Sequence, residues 1–485
     1  MIKKFVLFAF FFIQIQATYK FTSKNVGLIL HSGATFQVNN PITDFGGSIY
    51  KDVSSTVTGS NITFTNGGAL VPLGGISNYD PNSASSAIEG GGTIIAASGE
   101  TITDLTVSGT GNSLSGQPVF TGDITLGGEE SSVTVAVQSR ISQNIVVNNG
   151  TVNLNDDLKF TGDKAFTGSG AINANNRMIE FGGDLNLTSS ITIASSAGIK
   201  LGGTTELSSI MTLTGNNTIR GDGNVLDLGT SGQITVGSDS SLLIRDVIIK
   251  SVGGNNIQCY SGSTITLQNS TLVLDSDYSF TSGALKIKDS VKIKGIHTFA
   301  YQSVATSTIF KNSELILDKG LTFSYDPISS SSQLLEFTDV TSELILNGAT
   351  IHTVTNLELT KGTLTIQRTS YLSSEATDYF DASQGIFFGN SVDDIVCQFE
   401  QGAKLCLLQG NLVNKNINVS SWDLPTSGNH LKIYSNASLI LATSLDLGDG
   451  IVYFGNKSYF KRIGSSVLVG STNMDGSITY SIASS

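Results

Sequence analysis

Residues 158–172 read LKFTGDKAFTGSGAI, and residues 211–225 read MTLTGNNTIRGDGNV. Laid over each other at an offset of 53 without a gap, they share Thr161/Thr214, Gly162/Gly215, Gly168/Gly221 and Gly170/Gly223. Their apolar positions also match: Leu158 with Met211, Phe160 with Leu213, Phe166 with Ile219 and Ile172 with Val225. The unit is a strand, a glycine turn and another strand. Such a unit cannot bury its apolar side alone, and stacking one unit on the next is what closes a core. The stretch therefore predicts a solenoid built of β-strands.

A second pattern recurs from about residue 240. Short alternating strands split by a polar pair occur at SLLIRDVIIK (241–250), STITLQNSTLVL (263–274), ALKIKDSVKIKG (284–295), SELILDKGLTF (313–323), SELILNGATIH (342–352), GTLTIQRTSYL (362–372) and ASLILATSLDL (437–447). Their first apolar positions, Leu242, Ile265, Leu285, Leu315, Leu344 and Leu364, are separated by 23, 20, 30, 29 and 20 residues. Each piece is apolar on one face at period two. Asn, Asp and Gly between the strands tolerate the left-handed backbone of a sharp bend. Hairpins of this kind would form a very long meander with little to cover its face, whereas stacked coils satisfy both the strands and the core. The fold expected is all-β: a single-domain right-handed parallel β-helix of roughly 15–20 coils.

Composition agrees. Only 14% of residues are charged, against ~25% in an average chain. Apolar residues make up 39%, many of them β-branched, and there are 53 Gly but 6 Pro. No helical periodicity longer than about two turns occurs after the N-terminus. The net charge of −12 argues against nucleic acid or an anionic membrane bound through a basic face. Lys286, Lys288, Lys292 and Lys294 are a local exception and read as the solvent side of a strand.

Residues 1–17 read as an export signal: Lys3 and Lys4, an apolar run Phe5–Ile15, and Ala17 before a cut. The run is too short to span a bilayer, so no transmembrane anchor is expected once it is removed; a retained N-terminal anchor is the alternative. Residues 18–140 mix short strands with Gly/Ser loops such as GGISNYDPNSASS (74–86) and EGGGTIIAASGE (89–100), and hold Pro41, Pro72, Pro81 and Pro118. They are expected to form irregular opening coils and a cap, with a separate small β domain as the alternative. The regular helix is placed at 141–460, and a last coil or C-terminal cap at 461–485.

On TLTGNNTIRGDGNVLDLG (212–229) and the strand–turn–strand runs after it, the chain resembles pectin-lyase-like parallel β-helix proteins. In texture it is similar to the passenger domains of bacterial autotransporters, filamentous-haemagglutinin-type adhesins and related exported surface proteins. The resemblance covers roughly residues 140–450. Gly91–Ile94 and Phe36-Gln37-Val38-Asn39 each match once the motifs that chlamydial-type polymorphic membrane proteins repeat. Autotransporters end in a membrane barrel. Here the last coils read like the others and the sequence ends Ile-Ala-Ser-Ser, so a barrel is expected to be absent or on another chain.

Enzymes are common on the fold that the resemblance implies. Its lyases use acidic Ca²⁺ ligands and a basic residue, and its glycosidases use close carboxylates. Asp393-Asp394 is the one tempting pair late in the helix, and serves as a shared site only on a loop. The Asn-Thr-Asp, Gly-His-Gly and Arg-Ile-Lys patterns of pectin-type hydrolases are missing, and His31, His297, His352 and His430 are scattered. Asp222, Asp227, Asp446 and Asp449 sit near glycines and are weak candidates for a metal; they read better as loop aspartates. Arg220-Gly221-Asp222 spells an integrin-binding tripeptide, but the offset of 53 sets Thr167-Gly168-Ser169 in its place and makes it a turn.

Cys259, Cys397 and Cys406 read as packing residues, although Cys397 and Cys406 could pair. Phe160, Phe166, Phe181, Phe299, Phe310, Phe323 and Phe337 read as a stacked core. Trp422 is the lone Trp. Tyr325, Tyr371, Tyr379 and Tyr434 are the candidates for an exposed, glycan-facing stripe. Phe387-Phe388 must turn one ring outward if it lies on a strand. Asn216, Asn269 and Asn436 are glycosylation sequons that matter only in a glycosylating host.

The expected role is an exported structural or adhesive surface protein, secreted or associated with the cell surface or outer membrane, with no cofactor and with surface glycans or proteins of a host or of the cell itself as partners. The alternative is a polysaccharide-acting lyase or glycoside hydrolase.

Overall fold

The computed structural model describes residues 151–483, apart from 328–332 and 391, together with short strands and a few flanking residues between Ile13 and Asn148. Of the expected export signal only Ile13–Ile15 is described, as a strand beside Phe36–Val38; the rest of it, His31 and most of the Gly/Ser loops before residue 140 lie outside the described residues. Two compact units are present, Met1–Ile234 and Thr235–Ser485. Among the described residues there is no helix, and strands pair parallel throughout. Each unit is a parallel β-solenoid.

In the first unit, strands beginning at Gly27, Ser48, Ala69, Thr93, Asn112, Ser132, Thr151, Ala171, Ile191 and Ile210 stack in one sheet. One coil is therefore about 20 residues. The register makes columns. Val152, Ile172, Ile193 and Leu213 stack inward, all buried, while Thr151, Ala171, Thr192 and Thr212 stack on the outer face. A second sheet builds the inward column Leu158–Ile179–Ile199–Ile219. Beside it, the Phe160 and Phe181 rings lie stacked at 5.7 Å.

The repeat at offset 53 is not a stack of coils. Leu158–Phe160 and Ile210–Thr214 lie in different sheets, and Ile219 follows Ile199, not Phe166. What the two stretches share is a corner. Gly162 and Gly215 both take left-handed backbone, φ 66° and 69°, at the end of an apolar–polar–apolar strand, and that module serves more than one corner of the coil. The turn at Arg220-Gly221-Asp222 is likewise not equivalent to 167–169: its left-handed residues are Asp222 and Gly223, φ 50° and 90°.

In the second unit the inward columns include Leu242–Ile265–Leu285 and Val291–Leu315–Leu344–Leu364–Cys397–Trp422. Four of the five steps read from the sequence join true neighbours. The step from Leu285 to Leu315 joins two columns, because Lys286 pairs Thr308 and Leu315 pairs Val291. The polar corners behave as expected: Asp246, Asn269 and Asp289 have φ of 55°, 47° and 53°. The Asn269 amide donates to Asp246 Oδ1 at 2.6 Å.

Rings stack down the interior. Phe299 and Phe323 lie 5.8 Å apart at 15°, and Tyr301 and Tyr325 lie 5.8 Å apart at 3°. Tyr325 is thus a core residue, 0% exposed, and not part of an exposed stripe; its hydroxyl accepts the Leu334 N–H at 3.2 Å. Alternation alone could not reveal this, because phenol fits a wet face or a core with one polar partner. Phe310 is the reverse case: it is half-buried, with Lys288 Nζ 5.2 Å above its ring. The last strands, Leu468–Met474 and Ile478–Ala483, pair onto Leu445–Phe454 and Ser458–Ile463.

Truncating a stacked interior ring leaves a cavity. Phe323→Ala should destabilise the second unit by about 3–5 kcal/mol, measured by urea unfolding followed by circular dichroism. Phe310→Ala should cost less than about 1 kcal/mol, the range of a surface change.

Candidate functional site

Three features of the outer surface could meet a ligand. The first is a set of polar columns. Thr298, Thr322 and Thr350 stack in one. Asn173 donates to Asn153 Oδ1 at 3.2 Å in another. A third runs Lys159–Glu180–Lys200–Arg220, with Lys159 Nζ 2.6 Å and Lys200 Nζ 3.9 Å from Glu180 Oε1, and Lys200 also 3.7 Å from Asp222. Arg220 and Asp222 therefore belong to a charge ladder on the outer face of the coil. The four lysines of strand Ala284–Lys294 do not form one patch, because the left-handed bend at Asp289 puts Lys286 and Lys288 on one side of a corner and Lys292 and Lys294 on the other.

The second is an acidic groove of about 300 Å³ lined by Asp289, Glu314 and Glu343. Glu314 lies directly opposite Glu343 in the next coil. Hydroxyl donors hold the two carboxylates: Ser290 Oγ donates to Glu314 Oε1 at 2.6 Å, and Thr365 Oγ1 donates to Glu343 Oε1. The repeated SELIL of 313–317 and 342–346 was the available signal for this pair.

The third is a strap. Between strands Thr369–Ser374 and Ile386–Phe388 the chain leaves the coil over residues 375–385. The Asn411 amide donates to the carbonyls of Asp378 and Asp381 at 2.8 and 3.0 Å. Asn356 donates to Ser383 O at 2.8 Å and accepts the Gly385 N–H at 2.9 Å. Lys461 Nζ donates to Phe380 O, and Tyr379 stacks on Tyr459 at 4.5 Å. Hydrogen bonds from the Ser383 hydroxyl and amide hold the Asp381 carboxyl below its usual range. Near the strap, Phe387, Val413 and Ile440 form a second, outer core against Ala382 and Ile463. Phe387 does turn out from the coil, opposite Phe388, yet it is 4% exposed and has Lys415 Nζ 4.2 Å over its ring. Neither ring faces water.

At the root of the strap, Thr353–Asn356 of one coil and Ser374–Ala376 with Gln384 and Gly385 of the next enclose a pocket of about 140 Å³. Thr353 is 0% exposed. The Oγ1 atoms of Thr353 and Thr355 are buried and make no hydrogen bond. Glu375 stands at the rim, 3.4 Å from His352 Nε2.

The sequence-derived residues are placed as follows. Asp393 and Asp394 lie in the turn before strand Val396–Phe399 and point to different partners. Asp393 is 3.9 Å from Lys361 Nζ, whereas Asp394 accepts the backbone N–H groups of Ile417 and, at 2.9 Å, Asn418. Asp227 and Asp446 each accept the N–H of the glycine two residues on, at 3.0 Å, and Asp449 is exposed. Among the described residues no three His, Cys, Asp or Glu side chains are grouped to hold a metal, and no helix is long and apolar enough to cross a membrane. Tyr371 and Tyr379 are half-buried and Tyr434 is 44% exposed. The cysteines are free and buried. Cys397 packs in the inward column, and Cys406 sits between Tyr371 and Lys432 on the other side of its strand, so they do not pair. Burial pushes the Cys259 thiol up to about 11 and raises Cys397 and Cys406 as well.

Two outcomes are expected. Asp394→Ala should cost about 1–3 kcal/mol, because two backbone N–H groups lose a charged acceptor, while Asp393→Ala should cost under about 1 kcal/mol, as an exposed ion pair does; thermal unfolding separates them. A thiol-reactive chromophore should label none of the three cysteines in native protein at neutral pH and all of them in denaturant, since the thiolate is the reacting form.

No protein family, curated protein or solved structure matches this chain.

Proposed function

We propose that the protein is an exported structural or adhesive surface protein that makes many weak contacts along its coils. The observation that carries this is the in-register repetition of small polar side chains on the outer faces, Thr298–Thr322–Thr350 above all. A column presents the same donors and acceptors every ~4.8 Å. Single contacts of that kind are weak, and their sum over several coils is not. The leader-like start Lys3–Ala17 supports export, and the resemblance in pattern to adhesin passenger domains supports a surface role. Glycans or proteins of a host or of the producing cell are the partners of this reading; a net charge of −12 disfavours nucleic acid.

The second reading is an enzyme acting on polysaccharides, and Glu314/Glu343 is the observation that favours it. Carboxylates on neighbouring strands ~4.8 Å apart approach the ~5 Å separation of retaining glycosidases. One experiment decides between the two. The purified chain is incubated with a panel of neutral and acidic polysaccharides and with whole cells, and both retention and new reducing or unsaturated ends are read. Retention without product is the expected result. Product that disappears in Glu314→Gln or Glu343→Gln would replace the adhesive reading with the hydrolytic one.

A further inference from the structure

We propose that the last coil is a self-association surface, through which two copies of this chain join end to end about a two-fold axis. This goes beyond the adhesive reading and does not depend on it.

The observation is a break in exposure along columns that are otherwise dry. Met474 lies opposite Phe454 of the coil before, and Tyr480 opposite Phe460. Phe454 and Phe460 are buried rings 5.3 Å apart, and the Tyr480 ring continues them at 5.4 Å from Phe460. Ile482 follows Tyr480 on the same side of its strand. Yet Tyr480 is 46% exposed, Met474 61% and Ile482 64%. Met474 and Tyr480 are core residue types at core positions, open because no coil covers them. Val467 and Val469 are exposed on the same coil. Val340 and Val392, also exposed, stand alone between strands, which is ordinary; a cluster on one coil marks an interaction surface.

The backbone points the same way. Strands Leu468–Met474 and Ile478–Ala483 each pair with the coil before along one edge, and among the described residues no strand pairs with the other edge. An open edge is usually guarded by Lys, Pro or an inward-pointing charge. These two strands contain no charged residue and no proline.

Charge and size select a second copy as the occupant. The chain carries a net charge of −12, which opposes side-by-side contact between copies, whereas residues 464–485 hold one charged side chain, Asp475. Two acidic molecules can therefore meet through this coil with little repulsion. One side of a standard interface takes about 20–30 residues, and the last coil supplies about the lower number. Turning one copy over reverses the direction of its strands, so the facing edges pair antiparallel and their N–H and C=O groups answer each other across the axis. The contact consumes both open edges and closes at two copies. Contact of the last coil with any other face would leave an edge open and grow into a fibre.

The test uses the full chain. Sedimentation velocity over a dilution series reads the assembly state, and amide hydrogen exchange reads the contact. A monomer–dimer equilibrium is expected, with a Kd on the order of 1 μM and slower exchange of residues 468–483 in the dimer. Met474→Lys and Ile482→Lys should each weaken it about tenfold or more, and should melt as the unsubstituted monomer does, because both side chains are exposed. Val340→Lys should leave the dimer unchanged. A monomer at every concentration, assembly that grows past two copies, a dimer unmoved by both lysine variants at the last coil, or slowed exchange only outside that coil would each overturn the proposal. Retention by cells or polysaccharides is read separately, so the adhesive reading stands or falls on its own result.

Discussion

Parallel in-register stacking is the constraint on which everything else here depends. A strand in this protein leaves its backbone N–H and C=O groups pointing up and down the stack, and only the neighbouring coil can satisfy them. Once that pairing is set, each position in a coil is committed to a column. Inward columns accept only what packs on itself at ~4.8 Å, hence aliphatic runs such as Leu158–Ile179–Ile199–Ile219 and offset rings such as Phe299–Phe323. Corners accept only residues that tolerate a left-handed backbone, hence Asp246, Asn269 and Asp289. Outer columns are under the weakest constraint, and any ligand must find its specificity there or where the stacking is interrupted.

The interruption at 375–385 shows how much the regular pattern normally hides. A loop that leaves the coil must satisfy its own carbonyls, and it does so with two asparagines, Asn356 and Asn411, and one lysine, Lys461. It also allows apolar side chains on the outside of the coil. Phe387, Val413 and Ile440 stack outward, a position that elsewhere holds Thr or Lys, and a second small core forms against the side of the first. A pocket at Thr353–Asn356 opens at the root of the same loop. Strap, lateral core and pocket are therefore three results of a single insertion.

The strand identity and the existence of stacked coils were legible in the sequence because both rest on local period-two alternation. Register was harder. Leu242, Ile265 and Leu285 align by inspection because their coils are similar in length, whereas Leu285 and Leu315 do not, because the strand that stacks on that of Leu285 is Ser307–Ile309 and Leu315 stacks on Val291. The match at offset 53 marked a real corner, Gly162 and Gly215, but no stacked pair, since one module recurs at different corners. Sites were the least legible. Tyr325 looked exposed because a phenol in a β-strand carries no label of side, and the pairing of Glu314 with Glu343 required knowing which coils touch. The pocket at Thr353–Asn356 could not be read at all, because it depends on where the loop 375–385 leaves the coil.

The ladder Lys159–Glu180–Lys200 has a meaning for assembly. A chain whose coils are so alike risks joining a coil to the wrong one, skipping a turn and stacking on the one beyond. Columns of identical threonines or leucines give no resistance to that error, since every coil offers the same face. Alternating charge does. Skipping the coil that carries Glu180 would bring Lys159 against Lys200, two like charges on adjacent strands, which is unfavourable. The discrimination belongs to that one turn: a step further on, Lys200 pairs Arg220 in the native register, with Asp222 3.7 Å from Lys200 to offset the repulsion.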